Sequence, residues 1–435
     1  MPLNYFGTDG VRGRAFESPL RLSDVSRWGQ AFAGVARGEG ITKLVLGWDP
    51  RTSSDPLAQA FLQGLGSFET IILGMVPTPA VAWVTQQTPA AWGVMLSASH
   101  NPPEDNGIKG FDQLGEKLTE DLELRLEEAF EKASVADSSL PLLHSEQDPV
   151  ERYLAHLGTV DLPEGFSLVV DCAHGATAPF APRVLLGDVH WIGVPADGAR
   201  INVRVGSTHL GSLQKSVRTS GADLGIGFDG DGDRCLLVDP DGVVVDGDQM
   251  MLLLALDRLA RGEILPGVVG TLMTNGALEE ILKSKGVGFI RTPVGDKFML
   301  RELARQGWDL AAEASGHLIQ KHLGPSGDGL ATAISVLKAL LRRPTEKRWD
   351  WRFTPWPLRL VNLVAQERIP IERCGRLMKT MRELEFEHGD ALRLVIRWSG
   401  TEPKLRLMVE ARTEALLSES MARLESAGKM DLGLE

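Results

Sequence analysis

At 435 residues the chain is too long for one ordinary core, and about one domain per 100–200 residues predicts three or four domains. Its 43% hydrophobic and 24% charged residues are those of a soluble globular protein, and a net charge of −12 disfavours a nucleic-acid surface, so any anionic ligand must be held by local cations and backbone amides. Cys172, Cys235 and Cys374 are odd in number and far apart, which excludes a disulfide framework and suits the cytoplasm; no apolar run nears the ~18 residues of a membrane span, and the start lacks a leader pattern.

Near the start, Tyr5-Phe6-Gly7-Thr8-Asp9-Gly10-Val11-Arg12-Gly13-Arg14 reads as a loop that brings backbone and arginine close to a ligand, or else as a flexible basic terminus. Ser23 as N-cap, with Val25, Trp28, Phe32 and Val35 on one face, predicts a helix. Leu44-Val45-Leu46 reads as a buried strand entering the polar loop 47–53, and Asp55-Pro56 opens a second helix. The pattern recurs with strand 70–73, the loop Pro77-Thr78-Pro79 and a short helix over 81–86. Such alternation predicts an α/β fold whose ligands sit off the strand ends.

Strand 92–96 runs into Ser97-Ala98-Ser99-His100-Asn101-Pro102-Pro103 and on to Lys109. Adjacent Ser99 and His100 rarely face each other as nucleophile and base, and no G-x-S-x-G elbow surrounds Ser99. Phosphoryl acceptance by Ser99, helped by Lys109, fits better; a plain polar loop of turn formers is the alternative. A helix over 119–132 and a linker over 136–148 follow, placing the first boundary near 150. The second unit opens with strand 168–171 and passes His174 and His209, neither of which has a partner at metal-site spacing.

After strand 224–228 comes Asp229-Gly230-Asp231-Gly232-Asp233-Arg234, three carboxylates at alternate positions with only glycine between them. Their repulsion and the glycines' entropy need an offsetting cation, and an all-oxygen set selects a hard ion, best Mg²⁺. A calcium EF-hand would need glycine where Arg234 stands and glutamate where Pro240 stands, so that reading fails. A solvated acidic turn is the bland alternative, against which Arg234 argues, since a cation beside the triplet suits an anion-handling site.

The third unit predicts a helix over 249–258, a strand over 267–272, and loops at 292–297 and 313–317, where Glu313 and His317 offer groups for sugar hydroxyls and protons, or else belong to a plain surface loop. Residues 342–357 read as an interdomain connection. In the tail, two strands flank Arg397-Trp398-Ser399-Gly400-Thr401-Glu402-Pro403, with Arg406 close by: a phosphate cradle, or an ordinary hairpin.

Together the Ser99, Asp229, Glu313 and Ser399 loops come in the order and spacing of the α-D-phosphohexomutase superfamily. The chain resembles its phosphoglucosamine branch through Phe6-Gly7-Thr8-Asp9-Gly10-Val11-Arg12-Gly13, the loop 97–109, Val170-Asp171-Cys172-Ala173, Gly206-Ser207-Thr208-His209 and Gly270-Thr271-Leu272-Met273-Thr274-Asn275. The resemblance implies four domains around a central cleft: three α/β units of similar topology with mixed sheets (1–150, 151–248, 249–355) and a smaller α+β C-terminal domain (356–435). It implies interconversion of glucosamine 6-phosphate and glucosamine 1-phosphate through a phosphoserine and glucosamine 1,6-bisphosphate (or glucose 1,6-bisphosphate as activator), feeding amino-sugar nucleotide and cell-wall synthesis. On it, Ser99 is the phosphorylated serine and joins Asp229, Asp231 and Asp233 around Mg²⁺; Arg12 and Lys109 flank the phosphate. Arg234, Glu313, Ser315 and His317 meet the sugar, and Arg397, Ser399, Gly400, Thr401 and Arg406 hold the distal phosphate. The partner is then a small phosphosugar, with neither nucleic acid nor membrane.

One departure stands out: Ala314 occupies the place where the branches of the superfamily carry Gln or Met. Three alternatives remain: a phosphoglucomutase or phosphomannomutase, an aspartyl phosphatase with Asp229 as nucleophile, and a non-catalytic sugar-phosphate binder.

Overall fold

Leu44, Val45 and Leu46 are fully buried because their strand, Lys43–Trp48, runs through the middle of a sheet with a parallel neighbour on each side; such strands read as continuous apolar runs. The computed structural model describes residues 3–7, 9–134, 143–144, 149–399 and 403–434. The chain divides into two compact units, one of Met1–Thr271 with Ile290–Trp351, the other of Leu272–Phe289 with Arg352–Glu435.

One strand order recurs three times along the chain. Lys43–Trp48, Glu69–Met75, Ala91–Leu96 and Asp105–Phe111 lie in the spatial order second, first, third, fourth, the first three parallel and the fourth antiparallel. Ser167–Asp171, Asp188–Ile192, Leu224–Phe228 and Cys235–Val238 repeat it. Gly267–Thr271, Gly288–Thr292, Leu310–Ala312 and Leu318–Gln320 stand in the same order, again with the fourth antiparallel to the third. The expected α/β units of similar topology with mixed sheets are therefore present. In the second unit, Leu358–Val364, Lys404–Ala411 and Leu392–Trp398 form an antiparallel sheet backed by the helices Gly375–His388 and Glu414–Leu432.

Several local expectations shift. The first helix is Leu22–Gly38, with Arg21 rather than Ser23 at the N-cap; Val25, Trp28, Phe32 and Val35 form its buried face as expected. The second, Ser54–Leu65, is capped at Ser53, two residues before the Asp55-Pro56 signal, and Asp55 sits in its first turn. The third is longer than predicted, Thr78–Gln87, because Pro79 occupies the first turn, where a missing N–H costs nothing. Thr119 caps Glu120–Lys132, accepting the Leu122 N–H at 3.3 Å. Most of the linker 136–148 lies outside the described residues, but Leu143–His144 is a short strand parallel to Thr70–Ile71 rather than free connection. Between 342 and 357 a 3₁₀ turn, Thr345–Lys347, interrupts the irregular segment. Among the described residues no helix is long and apolar enough to cross a membrane.

Candidate active site

The three chemistry-bearing loops of the first unit are the same connection taken three times. Residues 97–104, 229–234 and 313–317 each leave the carboxyl end of the third parallel strand and turn back into the antiparallel fourth. That end of an open α/β sheet is where ligands collect. The second loop is tied to the other two: the N–H of Cys235, the residue that follows it, donates to the Gly316 carbonyl at 3.0 Å, and the Ser99 hydroxyl donates to Asp229 Oδ2 at 2.8 Å. Gly316, at φ +89°, lies so close to the Cys235 carbonyl that a Cβ there would collide with it.

Asp229, Asp231 and Asp233 are buried, and one carboxylate oxygen from each lies within 4.8 Å of the others. Burial, then the charges of Asp233 and Asp231, push the Asp229 carboxyl well above its ordinary range. Asp231 Oδ1 and Asp233 Oδ1 are buried without a hydrogen-bond donor. Unpartnered buried oxygens in a converging acidic set are costly unless a cation meets them, so these residues suit a hard divalent ion.

Ser99 is fully buried and left-handed, at φ +52°. Its hydroxyl donates to Asp229 Oδ2 at 2.8 Å and lies 3.3 Å from His100 Nδ1. Burial, with Arg234 and Arg12 nearby, lowers His100 to about 4, which leaves its ring neutral at pH 7. The serine oxygen thus sits at the edge of the carboxylate cluster.

Cations surround that cluster. Lys109, 1% exposed, reaches Asp231 Oδ2 at 2.7 Å, Asp9 Oδ2 at 3.2 Å and Asp233 Oδ2 at 3.6 Å. Burial alone would lower its ammonium, but Asp231, Asp9 and Asp233 outweigh that and raise it far above the usual lysine range. Lys109 is therefore a fixed positive charge rather than a proton acceptor. Arg12 pairs with Asp9 and donates to Asn101 Oδ1 at 3.1 Å. Arg234 donates its N–H to Asp229 Oδ1 at 3.2 Å and holds its guanidinium 3.7 Å from Asp233.

The third loop faces the same cluster. His317 Nδ1 is 3.7 Å from Asp233 and Nε2 is 3.7 Å from Asp296. Burial lowers the imidazole, but Asp233, Asp296 and Glu313 prevail and raise it. Glu313 accepts the Gly295 N–H at 3.0 Å and the Ser315 hydroxyl at 3.1 Å. Asp9, Lys117 and Asp296, to which the sequence reading gave no role, link these loops: Lys117 pairs with both aspartates, at 2.8 Å to Asp296. Thr78, which the sequence places only in the loop Pro77-Thr78-Pro79, donates its hydroxyl to Asp231 Oδ2 at 2.6 Å. Their partners are far away in sequence, and no local spacing announces them.

In the second unit, Arg397 and Arg406 stand directly opposite each other across the antiparallel pair, and Arg406 Nη2 donates to Ser399 Oγ at 3.3 Å. Like charges in that register repel. Burial and the neighbouring Arg406 both lower Arg397, the signature of a place that favours an anion. Gly400 and Thr401 lie outside the described residues. A separate cavity of about 480 Å³, lined by Leu254, Arg258, Gln320, Ile334 and Arg342 among others, shares no residue with the three loops. Its arginines Arg258 and Arg342 are already paired with Asp309 and Asp257.

Three repeated α/β units, a serine set against an acidic triplet and an arginine-rich C-terminal hairpin together make a phosphoryl-handling protein. Four family models match in order: phosphoglucomutase/phosphomannomutase α/β/α domain I over residues 3–137, domain II over 151–242, domain III over 246–350 and the C-terminal domain over 360–427. The chain belongs to the phosphoglucomutase/phosphomannomutase family, as its motifs led us to expect. It is 43% identical to the phosphoglucosamine mutase of Delftia acidovorans, with 99% of each chain covered, and 40% identical to that of Pseudomonas putida, with 98% and 99% covered. Among solved structures, a phosphoglucomutase/phosphomannomutase family protein from Burkholderia thailandensis superposes with TM-score 0.81 at 22% identity, covering 99% and 98% of the chains. The Aspergillus fumigatus N-acetylphosphoglucosamine mutase in complex with GlcNAc-6P and magnesium does so with TM-score 0.64 at 18% identity, covering 99% and 96%. These structural likenesses carry the fold.

Proposed function

We propose that the chain is a phosphoglucosamine mutase, interconverting glucosamine 6-phosphate and glucosamine 1-phosphate by exchange of a phosphoryl group with Ser99. The observation that carries this reading is the Ser99 hydroxyl, 2.8 Å from Asp229 at the rim of a buried carboxylate triplet. Full-length relatives at about 40% identity support it. In each half-reaction the bond between phosphorus and one oxygen breaks as a bond to the other oxygen forms. Phospho-Ser99 gives its phosphoryl group to the free sugar hydroxyl, whose proton passes to the released Ser99 oxygen; the bisphosphorylated sugar turns, and its other phosphate returns to Ser99 as the proton passes to the sugar oxygen set free.

Asp229, Asp231 and Asp233, with the Ser99 phosphate, would hold Mg²⁺; the all-oxygen donors and their orphaned oxygens fit that ion. When bound, the ion supplies positive charge against the phosphoryl oxygens. The protein's own contribution is positional and electrostatic. Arg12 and Lys109 stabilise charge on the transferring group from fixed positions, and Arg234, Glu313, Ser315 and His317 orient the sugar, with His317 able to hold a proton. Arg397, Ser399, Gly400, Thr401 and Arg406 take the phosphate that is not reacting, which supplies binding energy in both sugar orientations. The domains we assign are 1–150, 151–248, 249–355 and 356–435. The cytoplasm is the expected compartment.

Glu313 decides the sugar. Facing C2 and C3, its carboxylate favours an ammonium over a hydroxyl by about 1.5–3 kcal/mol, roughly ten- to a hundredfold; Ala314 adds nothing. Glucosamine 1-phosphate should therefore show the highest kcat/KM, ahead of glucose 1-phosphate and mannose 1-phosphate, and Glu313→Gln should narrow the gap. Glucose or mannose phosphate leading in the wild type would move the chain to another branch of the family.

A further inference from the structure

Arg51 is 2% exposed, and all its side-chain N–H groups are committed to the serine loop, to Asp105 just after it or to Asp49. Nη2 donates to the Ser99 carbonyl at 3.0 Å and the Asn101 carbonyl at 2.8 Å; Nη1 donates to the Asp105 carbonyl at 2.9 Å and to the Pro102 carbonyl. Nε donates to Asp49 Oδ2 at 2.9 Å. Asp49 in turn accepts the Ser97 hydroxyl at 2.7 Å and the Ser54 hydroxyl at 3.0 Å, and Ser97 Oγ accepts the Ser99 N–H at 2.8 Å. Both backbone polar groups of Ser99 are thus tied to one buried ion pair, its carbonyl directly and its N–H through Ser97.

A serine at φ +52° persists only where its surroundings over-determine it. We propose that Arg51 and Asp49 are positioning residues for the phosphoryl-transfer step, holding Ser99 in the left-handed conformation that aims its Oγ at the Asp229 carboxylate. The inference rests on the reading of Ser99 as the phosphorylated residue. An ordinary buried ion pair would tie together core elements, whereas three of the five contacts of this guanidinium fall on carbonyls of a single loop and a fourth on Asp105, the strand residue that follows it. Only a planar fork reaches several carbonyls at once; an ammonium is a point charge.

The test compares Arg51→Lys, Asp49→Asn and Ser99→Ala in the full-length protein. For each, kcat and KM for glucosamine 1-phosphate, Mg²⁺ affinity and thermal unfolding are measured. Misplacement of the reacting atom by about 1 Å costs on the order of a hundredfold, so Arg51→Lys should lose roughly that in kcat. KM and Mg²⁺ affinity should stay within about twofold, the pattern of an interaction that acts on the chemical step. Should Arg51→Lys fail to fold, Asp49→Asn, which keeps the shape of the pair, carries the same expectation. Wild-type kcat in a folded Arg51→Lys, or a kcat loss matched by KM and by thermal destabilisation, overturns the inference. Activity retained by Ser99→Ala would sink the functional reading and the inference with it. An inactive Ser99→Ala beside a fully active Arg51→Lys would sink the inference alone.

Discussion

Lys109 is the residue on which the resting charge balance of the site turns, because its ammonium is the closest cation to Asp231 and also meets Asp9 and Asp233. Removing one partner of a buried ion pair costs about 3–5 kcal/mol, since the charges left behind stay desolvated. Lys109→Met should therefore lower the unfolding temperature markedly in chelator, and saturating Mg²⁺ should restore part of the loss, because an ion held by the same carboxylates replaces the missing charge. An equal loss with and without Mg²⁺ would separate the lysine from the metal set. Asp309 shows the opposite kind of carboxylate: burial raises it, but His322 and Arg258, at 2.7 and 2.6 Å, prevail and hold it at about 2. Its folded value lies below the unfolded ~3.9, so its stabilising contribution is present above about pH 4 and is lost as pH falls towards 2. Denaturant unfolding of wild type and Asp309→Asn should show a stability gap at pH 6 that closes on acidification; a gap unchanged down to pH 3 would contradict the assignment.

At the scale of elements, the helices Leu22–Gly38 and Ser54–Leu65 cross where Gly29 and Gly64 let backbone meet backbone. A Cβ on Gly64 would meet the Ser26 carbonyl carbon at 2.7 Å and the Gln30 nitrogen at 3.0 Å, neither of which can swing aside. Overpacking of that kind costs about 1–3 kcal/mol, which exceeds the roughly 1 kcal/mol that alanine gains over glycine in a helix. Gly64→Ala should destabilise. Gly34→Ala, with nothing within 4 Å of the added carbon, should stabilise slightly; thermal unfolding of both reads the sign, and a stabilising Gly64→Ala would refute the crossing geometry. The same elements show what a sequence discloses. Strand cores such as Leu44 to Leu46 and the buried face of the first helix are legible because burial leaves a local periodic mark. The caps were misplaced because Arg21 and Ser53 cap with backbone geometry and without a side-chain bond. Arg51, Thr78 and Lys117 stand in segments that look like ordinary loops, Asp9 stands in a motif that names no partner for it, and the partners of all four are supplied by tertiary structure.

For the molecule as a whole, one strand order used three times delivers three different chemistries to one end of the sheets: a hydroxyl at Ser99, carboxylates at Asp229, Asp231 and Asp233, and the Glu313 and His317 pair. Each loop was recognisable by its residues, yet their equivalence as the connection between third and fourth strands is visible only in the topology. The C-terminal unit has its own order: the buried Glu410 carboxylate accepts from Arg393 at 2.8 Å and from the Gly276 N–H at 3.2 Å, which ties Leu272–Phe289 to the C-terminal sheet. Phosphoryl exchange at Ser99 is the central step, and its most direct measurement is transfer of label from glucosamine 1,6-bisphosphate carrying radioactive phosphate to the protein, with the modified residue mapped by peptide mass spectrometry. The predicted result is one phosphoryl group on Ser99, stable to hydroxylamine, discharged on adding glucosamine 6-phosphate and absent from Ser99→Ala. Label on Asp229 that hydroxylamine removes, or no label on the protein while turnover proceeds, would contradict it.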